Sequence, residues 1–329
     1  MTQQSPDPLR DPARAPSLAG VERAAAKISE ILTPTPLLPL EVDGATVWCK
    51  AECLQPVGAF KIRGAWHRLT DLTESQAAAG VVGVSSGNHA QGVAWAAKRL
   101  GVRATIVMPS NAPRLKLDAT RALGAEVVLY DRVTESRDAV AAKLLDERGG
   151  TLVHAYGDPW IIEGQGTAGI EVRAQMRARG IDGPDKVIAC CGGGGLSAGL
   201  ALACPDAEVV AVEPEGWDDV TRSLEAGTIL SVGDLSYPTE CDALQTPQTW
   251  PINFAVLQAR DVRGVAVTRD EVRHAMRVVF EKLHLVVEPG GAAALAALLA
   301  GKVAPGRATL VTLSGGNVDP QLYAEILAG

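Results

Sequence analysis

The chain has no excess of positive charge: 31 lysines and arginines stand against 38 acidic residues, a net charge of -7. That balance excludes a general nucleic-acid binder. No paired C-x-x-C motif occurs among its 6 cysteines, Cys49, Cys53, Cys190, Cys191, Cys204 and Cys241. Small buried thiols in a reduced protein are therefore expected, rather than a disulfide framework or a zinc site. The longest run of small apolar residues, Ala292 to Ala300, is too short to span a bilayer. The stretch from Met1 to Gly20 is rich in Pro, Asp and Arg and lacks the apolar core of a secretory signal. These absences predict a soluble cytoplasmic protein with no membrane partner. Aromatic residues are also few, with 3 Phe, 4 Tyr and 6 Trp against 34 glycines. Such a chain brings bare backbone close to a ligand, so the positions of the glycines matter.

At about 150 residues per domain, a length of 329 predicts two domains. From Gly80 onward, apolar runs of strand length alternate with amphipathic segments of helix length. The expected order is the strand Val81 to Val84, a helix His89 to Leu100, the strand Ala104 to Met108 and a helix Arg114 to Leu123. The strand Glu126 to Leu129, a helix Thr134 to Arg148 and the strand Thr151 to His154 follow. A second string opens at Val187 to Cys191 and includes the strand Glu208 to Glu213, helices Asp270 to His284 and Gly291 to Ala300, and the strand Thr309 to Leu313. This alternation calls for two open, mostly parallel twisted sheets flanked by helices, an α/β fold. No internal repeat or low-complexity linker interrupts it.

The informative residues follow the strands, where open α/β sheets bind ligands. Gly192, Gly193, Gly194, Gly195 and Leu196 lie between a strand and a small-residue helix, an arrangement that lets backbone amides and a helix dipole hold a phosphate. The same segment satisfies G-x-G-x-x-A through Gly193, Gly195 and Ala198, with Glu213 about twenty residues on, which reads as a dinucleotide site. Lys61, within Gly58-Ala59-Phe60-Lys61-Ile62-Arg63-Gly64-Ala65, is no Walker lysine. It is either a solvated helix cation or a partly buried amine of the type that forms Schiff bases. Ser85-Ser86-Gly87-Asn88-His89 opens a helix and suits either a carboxylate or a simple helix cap. Ser314-Gly315-Gly316-Asn317 carries the same ambiguity.

Taken in order, the segments 58–65, Ser85 to Gln91, Gly164-Gln165-Gly166-Thr167, Gly192 to Leu196, Val287-Glu288-Pro289 and Leu313 to Val318 resemble the threonine/serine dehydratase and serine racemase family. That family has the fold type II, tryptophan synthase β-like architecture and uses pyridoxal 5'-phosphate. The resemblance implies a large cofactor-binding domain of residues 1–78 and 154–329, and a small domain of residues 79–153 that closes over the substrate. Lys61 would hold the cofactor as a Schiff base and act on the Cα proton, with Phe60 against the ring. Gly192 to Gly195 and Leu196 would cradle the phosphate, Asn88 would bond the ring oxygen, and Ser314 would meet the pyridine nitrogen. Ser85, Ser86, Gly87, Asn88 and His89 would take the substrate carboxylate.

The implied reaction is β-elimination from a 3-hydroxy amino acid such as threonine or serine, giving a 2-oxo acid and ammonia. Ser86 lies where racemases of the family keep an opposite-face acid/base, so an amino-acid racemase is the alternative within the class. A dinucleotide-dependent oxidoreductase is the alternative outside it. Glu213 and Asp219, with a carbonyl near Trp217, match the ligands of a divalent cation, Mg2+ or Ca2+. A homodimer or homotetramer is implied. Two departures stand out. Cys241-Asp242-Ala243-Leu244 has Ala243 where relatives have glycine, and His154 to Asp158 differs at a substrate-facing stretch. Both point to a substrate other than plain serine or threonine, including a bulkier hydroxy amino acid.

Overall fold

The computed structural model describes residues 14–329 except residues 86, 113, 132 and 236. Its strands, in chain order, begin with β1 (Leu37–Val42), β2 (Ala45–Lys50), β3 (Val81–Val84), β4 (Ala104–Pro109) and β5 (Glu126–Tyr130). They continue with β6 (Thr151–Val153), β7 (Lys186–Cys190), β8 (Glu208–Pro214), β9 (Arg263–Val267) and β10 (Thr309–Thr312). Among the described residues they form a six-stranded sheet, β1-β2-β10-β7-β8-β9, and a four-stranded sheet, β5-β4-β3-β6. Apart from the antiparallel pair β1–β2, all pairings are parallel. The α/β arrangement of two mostly parallel sheets is therefore as the sequence indicates.

The expected strands and helices are present, and the local chemistry explains where their ends moved. The helix expected from Thr134 starts instead at Arg137, because the Ser136 hydroxyl caps it by accepting from the Ala139 amide at 3.4 Å. The helix expected to run to His284 is regular over Arg269–Val278 and then widens over Val279–Leu283. It stops at His284, whose φ of 56° is left-handed. The hairpin β1–β2, the helix Lys61–Thr70 and the helix Pro159–Arg177 complete the frame. Asp158 caps the last of these with a side-chain oxygen that accepts from the Trp160 and Ile161 amides, and Pro159 at the first helical position needs no hydrogen-bond partner.

Three apolar clusters fill the interior of the described residues: a larger one around the six-stranded sheet, a smaller one reaching the four-stranded sheet, and a third of Val82, Val107, Tyr130, Ala141 and Leu144 between that sheet and the helix Arg137–Arg148. Phe60 belongs to the larger and Ile62 to the smaller. Lys61 therefore stands at the seam. The glycines of 164–167 serve packing here: a Cβ on Gly164 would lie 2.5 Å from the Gly64 Cα, so the helices Pro159–Arg177 and Lys61–Thr70 cross with their backbones nearly touching. Among the described residues, no helix is long and apolar enough to cross a membrane.

Candidate active site

Lys61 is the first residue of its helix, and the loop before it is stitched to the segment after β10. The Phe60 amide donates to the Ser314 carbonyl at 3.1 Å, and the Gly316 amide donates to the Gly58 carbonyl at 2.8 Å. These bonds bring Lys61 and Ser314 to one cavity although 253 positions (314 minus 61) separate them in sequence. The cavity is lined by Phe60, Ser85, Gly87, Asn88 and His89 from one side, and by Gly192 to Leu196, Ser314 and Glu288 from the other. Ser86 lies outside the described residues.

The Lys61 Nζ donates to the Ala155 carbonyl at 2.8 Å and lies 5.2 Å from the Phe60 ring centre. Burial disfavours its ammonium form and lowers its pKa to about 8. Of the two readings open for this lysine, the structure supports the partly buried amine. Gly194, at φ 91°, turns the chain into the helix Gly195–Ala203. A Cβ on Gly193 would fall 2.3 Å from the Tyr156 ring. No other residue type fits either position without strain or displacement, and the bare loop leaves its amides at a helix N-terminus.

The Asn88 carboxamide is held in a directed chain. The Asn317 Nδ2 donates to the Asn88 Oδ1 at 2.8 Å, and the Asn88 Nδ2 donates to the Glu288 Oε1 at 2.5 Å. Asn88 lies within the helix Asn88–Leu100 and does not cap it; Gly87 occupies the cap position without a side-chain bond. The expected array of amides at 85–89 differs in two respects, the first being that the Gly87 amide donates to the Ser85 Oγ at 3.2 Å. The Ser85 amide donates to the Val107 carbonyl at 3.2 Å, completing the β3–β4 pairing, so it cannot also take a carboxylate. His89 turns inward, its Nε2 donating to the Val153 carbonyl at 2.9 Å, and burial lowers its pKa to about 3. Burial likewise lowers His154 to about 3, and its Nδ1 accepts from the Gly157 amide at 2.7 Å. Both imidazoles are neutral at ordinary pH.

Several lining residues have environments and pairings that the sequence does not signal. Glu288 is buried, and that burial, with Asp242 nearby, raises its pKa to about 7. Lys116 pairs with Asp242 across the cavity, and Arg137 and Tyr156 also line it. The position of Arg137 after β5 follows the strand-end rule, but the segment 131–136 has no glycine to draw notice. Beneath the helix that carries Lys61, the Arg63 guanidinium donates to Glu52 at 2.7 Å through Nε and to Glu171 at 2.7 Å through Nη1. That pairing outweighs burial and holds Glu52 at about 2.

Glu213 ends β8, and its carboxylate accepts from the Val220 and Thr221 amides at 3.0 and 2.7 Å. A carboxylate so committed is not placed for a ribose, which removes the dinucleotide reading of Gly193, Gly195 and Ala198. Burial, reinforced by Asp219, pushes Glu213 well above the usual carboxylate range, and burial raises Asp219 to about 7. The Asp219 Oδ2 accepts from the Thr249 amide at 2.8 Å, while its buried Oδ1 has no hydrogen-bond partner among the described residues. Thr249 in turn donates its hydroxyl to the Gly193 carbonyl at 3.1 Å. Two crowded carboxylates with an unsatisfied oxygen fit a hard divalent cation. Trp217 is buried beside them, its Nε1 donating to the Tyr237 carbonyl at 2.9 Å.

A lysine amine of lowered pKa facing a glycine phosphate cradle at the strand ends defines a pyridoxal-phosphate enzyme of the two-sheet type. The family model described as pyridoxal-phosphate dependent enzyme matches residues 28–315, and the chain belongs to that family. It is similar to the L-threo-3-hydroxyaspartate ammonia-lyase of Pseudomonas sp, at 39% identity over 94% of this chain and 98% of that protein. Among solved structures it resembles the T.th. threonine deaminase, with 42% identity, a TM-score of 0.85 and coverage of 92% of this chain and 99% of that one. It also resembles maize serine racemase, with 33% identity, a TM-score of 0.88 and coverage of 96% and 98%. The chain is an enzyme, and pyridoxal 5'-phosphate is its cofactor.

Proposed function

We propose that this enzyme is an ammonia-lyase whose preferred substrate is a 3-hydroxy amino acid with a side-chain carboxylate, 3-hydroxyaspartate. The reaction is β-elimination from a 3-hydroxy amino acid: loss of the Cα proton and the Cβ hydroxyl, then hydrolysis, yields a 2-oxo acid and ammonia. Bound pyridoxal phosphate supplies an electron sink for the charge left at Cα. The chain supplies the rest. Lys61 would hold the cofactor, and its Nζ, once free, would take the Cα proton. Phe60 would pack on the ring, Gly192 to Gly195 and Leu196 would hold the phosphate, and Asn88 and Ser314 would donate to the ring oxygen and nitrogen. The loop 85–89 positions the substrate carboxylate through the Asn88 and His89 amides and the Ser85 hydroxyl, with Ser86 and Gly87 in the same loop.

The observation that carries the substrate assignment is Arg137. Its guanidinium lines the cavity, and its ion pair is a 3.6 Å contact with its own neighbour Asp138. A second substrate carboxylate would give that cation a partner. A charge-assisted hydrogen bond of about 1.5–3 kcal/mol corresponds to about 10- to 150-fold in kcat/KM. Arg137→Gln is expected to lose that factor on 3-hydroxyaspartate and little on threonine. A wild-type preference for threonine removes the substrate assignment and leaves the lyase reading. A visible cofactor band that survives borohydride, or survives Lys61→Ala, removes the lysine anchor itself.

The same reading places a divalent cation, Mg2+ or Ca2+, on Glu213, Asp219 and a backbone carbonyl beside Trp217, where it braces the phosphate loop through Thr249. It makes residues 79–153 a domain that closes over the substrate, with Lys116 and Asp242 meeting across the gap. A homodimer or homotetramer in the cytoplasm is the expected assembly, and sedimentation of the holoenzyme tests it.

A further inference from the structure

Ser314 is held at both ends of its backbone. Its amide donates to the Gly291 carbonyl at 3.3 Å, and its carbonyl accepts from the Phe60 amide at 3.1 Å. Its hydroxyl, facing the cavity, keeps one torsion and can donate one hydrogen bond and accept two. What fixes that torsion is a chain of bonds between β7 and β10, adjacent parallel strands that end side by side. The Cys190 amide donates to the Thr312 Oγ1 at 3.3 Å. The Thr312 hydroxyl lies 3.9 Å from the Cys190 Sγ and donates to it, and the Cys190 thiol donates to the Ser314 Oγ at 2.9 Å. The chain starts at a backbone amide, which can donate and never accept, and the Thr312 hydroxyl that receives it has one proton to pass on to the Cys190 Sγ. With the thiol proton on the Ser314 Oγ, the Ser314 proton is left to donate into the cavity that this residue lines. Burial raises the Cys190 pKa, so the thiol keeps its proton and remains a donor at working pH.

We infer that Cys190 is a positioning residue for the cofactor ring: its thiol satisfies the Ser314 oxygen and holds the Ser314 hydroxyl as a hydrogen-bond donor toward the ring nitrogen. This rests on the placement of Ser314 at that nitrogen in the proposed function. A nitrogen that accepts a hydrogen bond stays unprotonated and withdraws fewer electrons than a pyridinium, which favours elimination over transamination. The cysteine thus acts on the cofactor without touching it. Directed chains of this kind also strengthen each successive bond.

The test is reconstitution with pyridoxal phosphate labelled with heavy nitrogen in the ring, read by nitrogen NMR and by cofactor dissociation. In Cys190→Ala the ring resonance is expected to move toward that of unbonded pyridine, and the cofactor Kd to rise about two- to tenfold, the worth of one hydrogen bond. Cys190→Ser, which restores a donor, should return both to the wild-type values, and Ser314→Ala should shift the resonance in the same direction as Cys190→Ala. If Cys190→Ala does not fold, Thr312→Val cuts the chain one link earlier and should shift the resonance the same way. A wild-type resonance in Cys190→Ala beside a shifted one in Ser314→Ala overturns the inference and leaves Ser314 where it was placed. Failure of Cys190→Ser to rescue also overturns it. An unshifted resonance in Ser314→Ala removes the placement of Ser314 and the inference together.

Discussion

The lowered pKa of Lys61 makes a quantitative demand on the cofactor-free enzyme. Burial at the seam of two of the clusters brings the amine to about 8 from the ordinary 10.5 of lysine. At pH 7 a base of pKa 8 is about 9% neutral and one of pKa 10.5 about 0.03% neutral, a ratio of about 300. The neutral amine is the form that attacks an aldehyde and accepts a proton, so this factor is available to both steps assigned to Lys61. Competitive acetylation of the apoenzyme across pH 6 to 11, with Lys61 followed by peptide mass spectrometry against a free lysine amide, measures it directly. The expected midpoint is about 8. A linked consequence has a definite sign: between about 8 and 10.5 the unfolded chain binds more protons at this lysine than the folded one, so apoenzyme stability rises with pH in that window. A labelling midpoint at 10 or above refutes the argument, because it would mean that water enters the cavity freely enough to solvate the charge.

Further outcomes follow from the surrounding structure. Gly193→Ala places a Cβ 2.3 Å from the Tyr156 ring and is expected to weaken cofactor binding about tenfold or more, with Tyr156→Ala recovering part of the loss in equilibrium dialysis. An unchanged affinity would show that the loop tolerates a side chain. Arg63→Met strands the buried Glu52 carboxylate and is expected to cost about 3–5 kcal/mol in urea unfolding; a loss below about 1 kcal/mol contradicts the pairing. The raised Glu213 and Asp219 bind more protons folded than unfolded, so cation-free stability should fall as pH rises from about 4 through about 7. Calorimetry at pH 5 to 8 should show Mg2+ or Ca2+ restoring Tm in the wild type and not in Asp219→Asn, and a Tm indifferent to both cations would remove the site.

The sheets were legible because strands covered on both faces read as unbroken apolar runs, as β3 and β8 do. Lys61 and the 192–195 loop were legible because special backbone and an isolated amine stand out locally. The hairpin β1–β2 carried a usable signal in Asp43-Gly44, both residues at positive φ, but Pro39 and the short runs around it obscured the pattern. The polar lining was hidden for a different reason. Asn88 meets Glu288 across 200 positions and Lys116 meets Asp242 across 126, and no periodicity reports contacts between separate strand ends. Glycine served two ends: at 193 and 194 it keeps a loop bare, whereas Gly164 and Gly64 let two helices cross.

The distribution of charge explains why one amine can do the chemistry. In the cavity wall His89 is neutral, as is neighbouring His154, and the Cys190 and Cys191 thiols keep their protons, while Glu288 sits near the midpoint of its titration at about 7. Lys61 therefore has no fixed cation or fully ionised carboxylate holding its proton state there. The proposed phosphate binding by glycine amides would extend this logic, since a lysine or arginine on the phosphate would add a permanent charge close to the amine. Permanent charges stand instead around Arg137 and the Lys116–Asp242 pair. Arg137 and Asp242 are shared between the inner cavity and the cleft that leads out past Tyr130 and Trp217. In a chain of net charge -7, a local cation at that entrance opposes the general repulsion of an anionic substrate. Selection of the substrate at the mouth and proton transfer in the interior can then be altered separately, because Arg137 opens the helix Arg137–Arg148 and Lys61 opens the helix Lys61–Thr70.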